Sequence, residues 1–347
     1  MPTSPPTWTP RCPAVSWTDP PPTTPTAAAR CWRPWPRHRN GIGMLGVAPG
    51  VRLVSLRAAA PNGIMQLAPF VEALTYAADA GIDVALVGSS VRIPGDNCGD
   101  APAAVQTRRA AALLVQRAVD DARDRGVSVV AGSGDTASPL TAGQVRCDTL
   151  PQQTDRVVDV GATGPSGRKA AYADWGAPLM LAAPGGDITD YPDDPLHYFA
   201  PENMVLGAYP AALAAARGQL DPAGLPLDPT LVRSCSAQAC AYYRWGQGTA
   251  VAAAHVAGAA ALVITRYGSA DPVTGDWGMV PGDVTVRLRR TALQVPCSTP
   301  VVTYPDQPTV DPALCTADGT HTTLTGDGLV DAAASVGLAR LAPPIAP

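Results

Sequence analysis

Gly248-Thr249-Ala250-Val251-Ala252-Ala253-Ala254-His255-Val256-Ala257-Gly258, continuing through the apolar run Ala259 to Thr265, decides how the rest of the chain is read. A glycine-led turn passes into a run with no helix breaker, and the small residues Ala250, Ala253, Ala254, Ala257, Gly258 and Ala261 suit a helix packed closely against neighbouring elements. The first turn of such a helix carries backbone N–H groups without intrahelical acceptors, a natural place for negative charge.

Working outward, strand and helix patterns alternate. Val51 to Arg57 is an apolar run of strand length after the turn Gly41 to Gly50, and Asp83 to Val87 reads as a buried strand. So does Val127 to Ala131. Residues 64–80 repeat apolar side chains at Leu67, Val71, Leu74 and Ala78, one helix face closed by Gly81. Residues 102–125 place Ala111, Leu114, Val115, Ala118 and Ala122 inward, with Arg117, Asp121 and Arg125 outward and Gly126 at the end. Between Asp187 and Trp245 lies a Pro- and Asp-rich insertion with one strand candidate, Met204 to Tyr209, and one helix candidate, Ala211 to Leu220. Pro281 to Leu293 is a further helix. Strands alternating with helices across Gly-rich turns predict an α/β fold with a mostly parallel sheet flanked by helices.

The stretch at 248–258 resembles the nucleophile segment of subtilisin-like serine proteases, G-T-S-M-A-x-P-H-V-A-G. Leu181-Ala182-Ala183-Pro184-Gly185-Gly186-Asp187 is similar to the family's V-A-A-P-G-G-D, and Gly326-Asp327-Gly328-Leu329-Val330-Asp331-Ala332 to its G-x-G-x-V-D-A. The resemblance runs over residues 40–340 and implies a secreted peptide-bond hydrolase, like actinobacterial members with disulfide-closed loops. It also locates substitutions. Ala250 stands where the family has its serine, and a methyl group cannot attack a carbonyl. Asp135, in Gly132-Ser133-Gly134-Asp135, stands where the family's asparagine donates to the oxyanion; a carboxylate accepts instead, although a few subfamilies carry Asp there. By the same resemblance Gly88-Ser89-Ser90 forms one wall of the primary specificity pocket, Gly132, Ser133, Gly134, Gly248 and Thr249 are substrate-binding residues, and His255 is a packing residue. Gly132-x-Gly134 is also a fragment of a nucleotide-binding turn, but residue 137 is Ala and no helix pattern follows.

The family's Asp strand and His helix should precede residue 41, and neither D-T-G nor H-G-T occurs there. Asp19 and His38 are the candidates, and neither has the expected neighbours. Residues 1–40 hold eleven prolines and four of the seven tryptophans, with no Leu, Ile, Gly, Glu or Lys. Two readings stand: a disordered Pro-rich tail, or a GC-rich gene translated out of frame. The expected organisation is an anomalous segment at 1–40, a subtilase-like domain at 41–340 with the insertion at 187–245, and a tail at 341–347.

With 25 basic and 29 acidic residues the net charge is -4 and no basic cluster occurs, which argues against nucleic acid. No run reaches the ~20 apolar residues of a membrane span. Eight cysteines outside metal-ligand spacing favour disulfides in an oxidising, extracellular setting, although residues 1–40 do not read as a signal peptide. The expected pairs are Cys297 with Cys315, Cys235 with Cys240 and Cys98 with Cys147. No cofactor or metal is expected from the residues, and the family resemblance leaves calcium open. By the resemblance the functional expectation is a monomeric homologue of secreted subtilisin-like serine endopeptidases whose copy here is catalytically inactive and whose ligand would be a peptide or protein; the alternative is a non-catalytic peptide- or propeptide-binding decoy on the same scaffold.

Overall fold

The computed structural model describes residues 43–60, 64–93, 101–141, 150–191, 198–237, 239–270, 272, 277–297, 301–304 and 312–339. Four parallel strands form the main sheet: β1 (Val84–Val87), β2 (Ser128–Gly132), β3 (Val158–Thr163) and β4 (Leu181–Pro184), hydrogen-bonded in that order. β2 and β3 are buried along their whole length, which is why they read as continuous apolar runs.

Helices cover both faces. α1 (Leu67–Asp79) and α2 (Pro102–Asp124) pack on one side, where Phe70, Leu74, Val115, Val119, Val129 and Val157 meet. On the other side the long helix α4 (Thr249–Tyr267) lies across all four strands, with α5 (Pro281–Thr291) beside it. Val256, Ala260 and Val263 of α4 are buried against Val130, Val158 and Val160. α4 has the length and composition to cross a bilayer, yet here it is the core helix of the sheet.

The faces of the first two helices differ in part from the sequence pattern. Leu74 and Ala78 are buried as expected in α1, but Phe70 and Ala77 share that face while Leu67 and Val71 lie at its margin. In α2, Leu114 is 50% exposed and Val119 and Arg123 are buried instead. Ala111, Val115 and Ala122 hold their inward places, so the buried stripe is 111, 115, 119 and 122.

The insertion contains more than one strand. β5 (Val205–Tyr209) is joined by β6 (Leu231–Cys235) and β7 (Cys240–Gly246) in an antiparallel sheet ordered β6-β7-β5, and α3 (Ala211–Ala216) is shorter than the alanine-rich run suggested. Cys235 and Cys240 face each other across the β6–β7 hairpin and are disulfide-bonded, as are Cys297 and Cys315. Cys98 and Cys147 lie outside the described residues. The last helix, α6 (Ala332–Ser335), is a single turn capped by the Asp331 carboxylate, which accepts the Ala334 N–H at 2.8 Å.

The expected strand at Val51 to Arg57 forms no ladder among the described residues, and most of it is exposed. β1 is likewise less buried than expected, because its outer edge has no described neighbour.

Candidate functional site

The end of β2 and the start of α4 meet almost backbone to backbone. A Cβ on Gly132 would lie 2.5 Å from the Thr249 carbonyl carbon and 2.7 Å from the Ala250 nitrogen, so only glycine permits the approach. Gly248, just before the helix, sits at φ 151°, a second position that favours glycine. Its N–H donates to the Tyr172 hydroxyl at 2.9 Å and the Gly185 carbonyl at 3.1 Å, while that hydroxyl donates to the Gly186 carbonyl at 2.7 Å. Burial drives the Tyr172 phenol well above its ordinary range, so it remains a neutral donor and acceptor.

Thr249 ties the two elements together. The Gly134 N–H donates to its hydroxyl oxygen at 3.1 Å, and that hydroxyl donates to Asp135 Oδ1 at 2.8 Å. The Thr249 N–H donates to the same Oδ1 at 2.8 Å. Asp135 therefore caps the N-terminus of α4 from 114 residues away in sequence. The partner of this acceptor is a helix end, and no local spacing in the sequence announces the pair.

The turn after Asp135 is held by Asp174, whose Oδ1 accepts the N–H groups of Thr136 and Ser138, both at 2.9 Å, and the Thr136 hydroxyl at 2.8 Å. On the far side Asp187 accepts Ala171 N–H at 2.6 Å and Thr189 N–H at 2.9 Å. Gly185 and Gly186 both donate to the Thr163 carbonyl. These motifs thus frame the helix start.

Ala250 presents a methyl group there. Ser90 of the run Gly88-Ser89-Ser90 accepts from Gln152 Nε2 at 3.0 Å through its hydroxyl, and the Ser133 hydroxyl donates to the Asp174 carbonyl at 3.2 Å, which makes Ser133 part of the frame. His255 Nδ1 contacts the Val251 carbonyl one turn back at 3.0 Å, a packing role within α4. His321, a residue the sequence patterns did not mark, does pair with a carboxylate: its Nδ1 is 2.9 Å from Asp327 Oδ1. Its Nε2 is 3.1 Å from the Ala177 carbonyl, which leaves no ring nitrogen open to take a proton from a nucleophile. Asp19 and His38 lie outside the described residues. Among the described residues no three His, Cys, Asp or Glu side chains gather into a metal cluster.

Lys169 is buried beside this frame. Its Nζ donates to the carbonyls of Ala170 at 2.9 Å and Ala171 at 3.4 Å, and Tyr304 donates its hydroxyl back to the Lys169 carbonyl at 2.9 Å. Burial pulls its pKa down to about 7, against the pull of Asp174 and Asp187. Asp159, on β3, is fully enclosed, and burial, with the Asp174 carboxylate adding to it, holds it well above the carboxylate range.

The model of the subtilase peptidase family matches residues 37–325. Subtilisin Savinase of Lederbergia lenta is 28% identical over 154 residues, 44% of this chain and 48% of its own. Subtilisin DY of Bacillus licheniformis is 25% identical over 228 residues, 66% of this chain and 59% of its own. The chain thus spans about half the length of curated relatives such as the first of these, at 48%. Among solved structures, a lanthipeptide protease superposes with a TM-score of 0.57 at 21% identity, covering 84% of this chain and 71% of that one. The epidermin leader peptide processing serine protease of Staphylococcus aureus gives 0.52 at 16% identity, covering 86% of this chain and 61% of that one. These likenesses concern the fold.

Proposed function

The chain belongs to the subtilase family, and from that premise we propose that it is an extracellular member that does not hydrolyse peptides. The observation that carries this reading is the start of α4: a methyl group at Ala250 beside a carboxylate, Asp135, that already occupies the helix-end donor of Thr249. Acyl transfer needs a nucleophile, a base and donors aimed at the developing oxyanion. Asp135 is an acceptor in the place of a donor, His321 is bonded through both ring nitrogens, and His255 lies about 140° around α4 from position 250. The two disulfides support the oxidising compartment.

A second reading is favoured by one observation: the frame around the helix start is kept in full, with Tyr172, Asp174 and Asp187 all hydrogen-bonded. A frame of this kind retains the walls of a peptide cleft, so the chain would hold a peptide or propeptide without cleaving it. The test has two arms. Incubation with a fluorogenic peptide library and with a fluorophosphonate should give neither turnover nor labelling, and either signal would refute inactivity. Titration of an uncleaved peptide library into the chain separates the readings, because the peptide-holding role requires saturable binding.

A further inference from the structure

Arg123, near the C-terminal end of α2, is only 7% exposed. Neither its Nε nor its Nη1 has a hydrogen-bond partner among the described residues. Buried polar groups are paired almost without exception, and a buried charge left alone costs far more than a buried dipole. A guanidinium cannot escape that cost by giving up its proton.

The side chain is lodged in the seam between α2 and residues 150–156. Around the helix, position 123 is about 40° from the buried Val119 and about 20° from Gln116. Gln116 faces the segment: its Oε1 accepts the Asp155 N–H at 2.8 Å, and its Nε2 donates to the Asp155 carbonyl at 3.1 Å. From the same segment Arg156 reaches back to α2 and donates to Asp120 at 2.9 Å and to Asp124 at 2.8 Å. The two carboxylates that flank Arg123 on its own helix are therefore bonded to a different cation. Burial foremost, and then the Arg156 charge, pull the Arg123 pKa below its ordinary value, with Asp120 and Asp124 opposing from a distance. Gln153, across the seam, has its carboxamide enclosed with neither Nε2 nor Oε1 partnered. Unsatisfied donors thus stand on both sides of one interface.

We propose that the seam between α2 and residues 150–156 is a binding site for a small monovalent inorganic anion, of the size and charge of chloride, held against the Arg123 guanidinium with the Gln153 carboxamide as a second donor. Water would satisfy the N–H groups but leave the charge bare. A divalent anion would add a second negative charge close to Asp120 and Asp124, whereas one negative charge matches the one cation without an ion-pair partner. The ion is a structural one. It pins to α2 a segment that also supports Ser90 and Val91, since Gln152 Nε2 donates to the Ser90 hydroxyl and the Val91 N–H donates to the Leu150 carbonyl. This site is separate from the cleft at the start of α4, and its test does not depend on that reading.

The probe is chloride itself. Thermal melts of the full chain at fixed ionic strength, with sodium gluconate exchanged stepwise for sodium chloride, should show a rise in melting temperature that levels off, as binding to the folded state alone requires. Bromide should act in the same way. Arg123→Met, which keeps an unbranched side chain without the charge, should lose the rise and melt no lower in gluconate than the native chain does, because no buried charge is then left unpaired. Gln153→Leu should keep the rise but move its midpoint to about tenfold higher chloride, the worth of one hydrogen bond to a charged group. Chloride NMR on the native chain reads the site without any substitution: the line should broaden with protein and narrow again when bromide competes. A melting temperature indifferent to the exchange, a rise that never levels, the same rise in a folded Arg123→Met chain, or an unbroadened chloride line would each overturn the proposal.

Discussion

Asp135 and Thr249, 114 residues apart, share two hydrogen bonds through one carboxylate oxygen, from the threonine N–H and from its hydroxyl, each 2.8 Å long. The pair joins the end of β2 to the start of α4 and satisfies a helix-end donor with a negative charge. Asp135→Ala should lower stability by about 1 kcal/mol, the usual value of a helix N-cap, and Asp135→Asn, which keeps an acceptor, by less. Urea unfolding of the three proteins checks the order.

Ala250→Ser should not create a protease. The new hydroxyl would stand at the helix start, but His321 is bonded through both ring nitrogens, and His255, five residues on in α4, lies about 140° around the helix from position 250. In subtilisin, loss of the nucleophile or the base alone costs about as much as loss of the whole triad, ~10⁶ in turnover, so restoring one member recovers little. Fluorophosphonate labelling of the Ala250→Ser chain at the background level is the expected outcome, and labelling above it would point to a base outside the described residues.

Lys169 should make stability rise with pH on the alkaline side. Unfolded, its ammonium holds its proton up to about 10.5, whereas the buried group releases it near about 7. The unfolded chain therefore binds more protons between those values, and the folded state gains stability as pH climbs through that window and is fully penalised below it. Lys169→Met, without that titration, should be most favoured relative to the native chain at pH 6 and lose its advantage steadily toward pH 10. A constant difference across that range by thermal melts would disprove the linkage.

Opening the Cys297–Cys315 bridge by Cys→Ser at both positions frees a loop of 18 residues' separation, which the chain-entropy account values at ~3 kcal/mol. The melting temperature of the double variant, compared with the native chain under non-reducing conditions, measures it.

Deleting residues 1–40 should leave the melting temperature unchanged. That composition offers almost no aliphatic side chain to bury. A clearly lower melting temperature for the shortened chain would make the segment part of the domain.

Part of the architecture was legible because a buried parallel strand writes itself as an apolar run: β2 falls where Val127 to Ala131 places it, and β4 lies inside the stretch 181–187 that the family resemblance marks. The hairpin of β6 and β7 was not. Arg233, Ser234 and Arg244 interrupt its hydrophobic alternation, and the pairing of Leu231 with Arg244 becomes visible only when both strands are in place. Leu114 of α2 marks another limit, since an apolar residue one position off the buried stripe looks inward on a helical wheel and is half exposed in the fold. At the site, Ala250 could be read from its motif alone. The capping role of Asp135 could not, because its partner is set by a tertiary approach that glycine at 132 permits.

That approach also imposes an order on biogenesis. The bonds from residues 134 and 135 close only on Thr249, so a chain emerging from its N-terminal end must be synthesised past residue 249 before the end of β2 finds its partner. Contacts so distant in sequence form late and slowly. Until α4 arrives, the apolar strands β2 to β4 stand with one face bare, which makes the interval between their synthesis and that of α4 the period in which this protein most needs a holding chaperone.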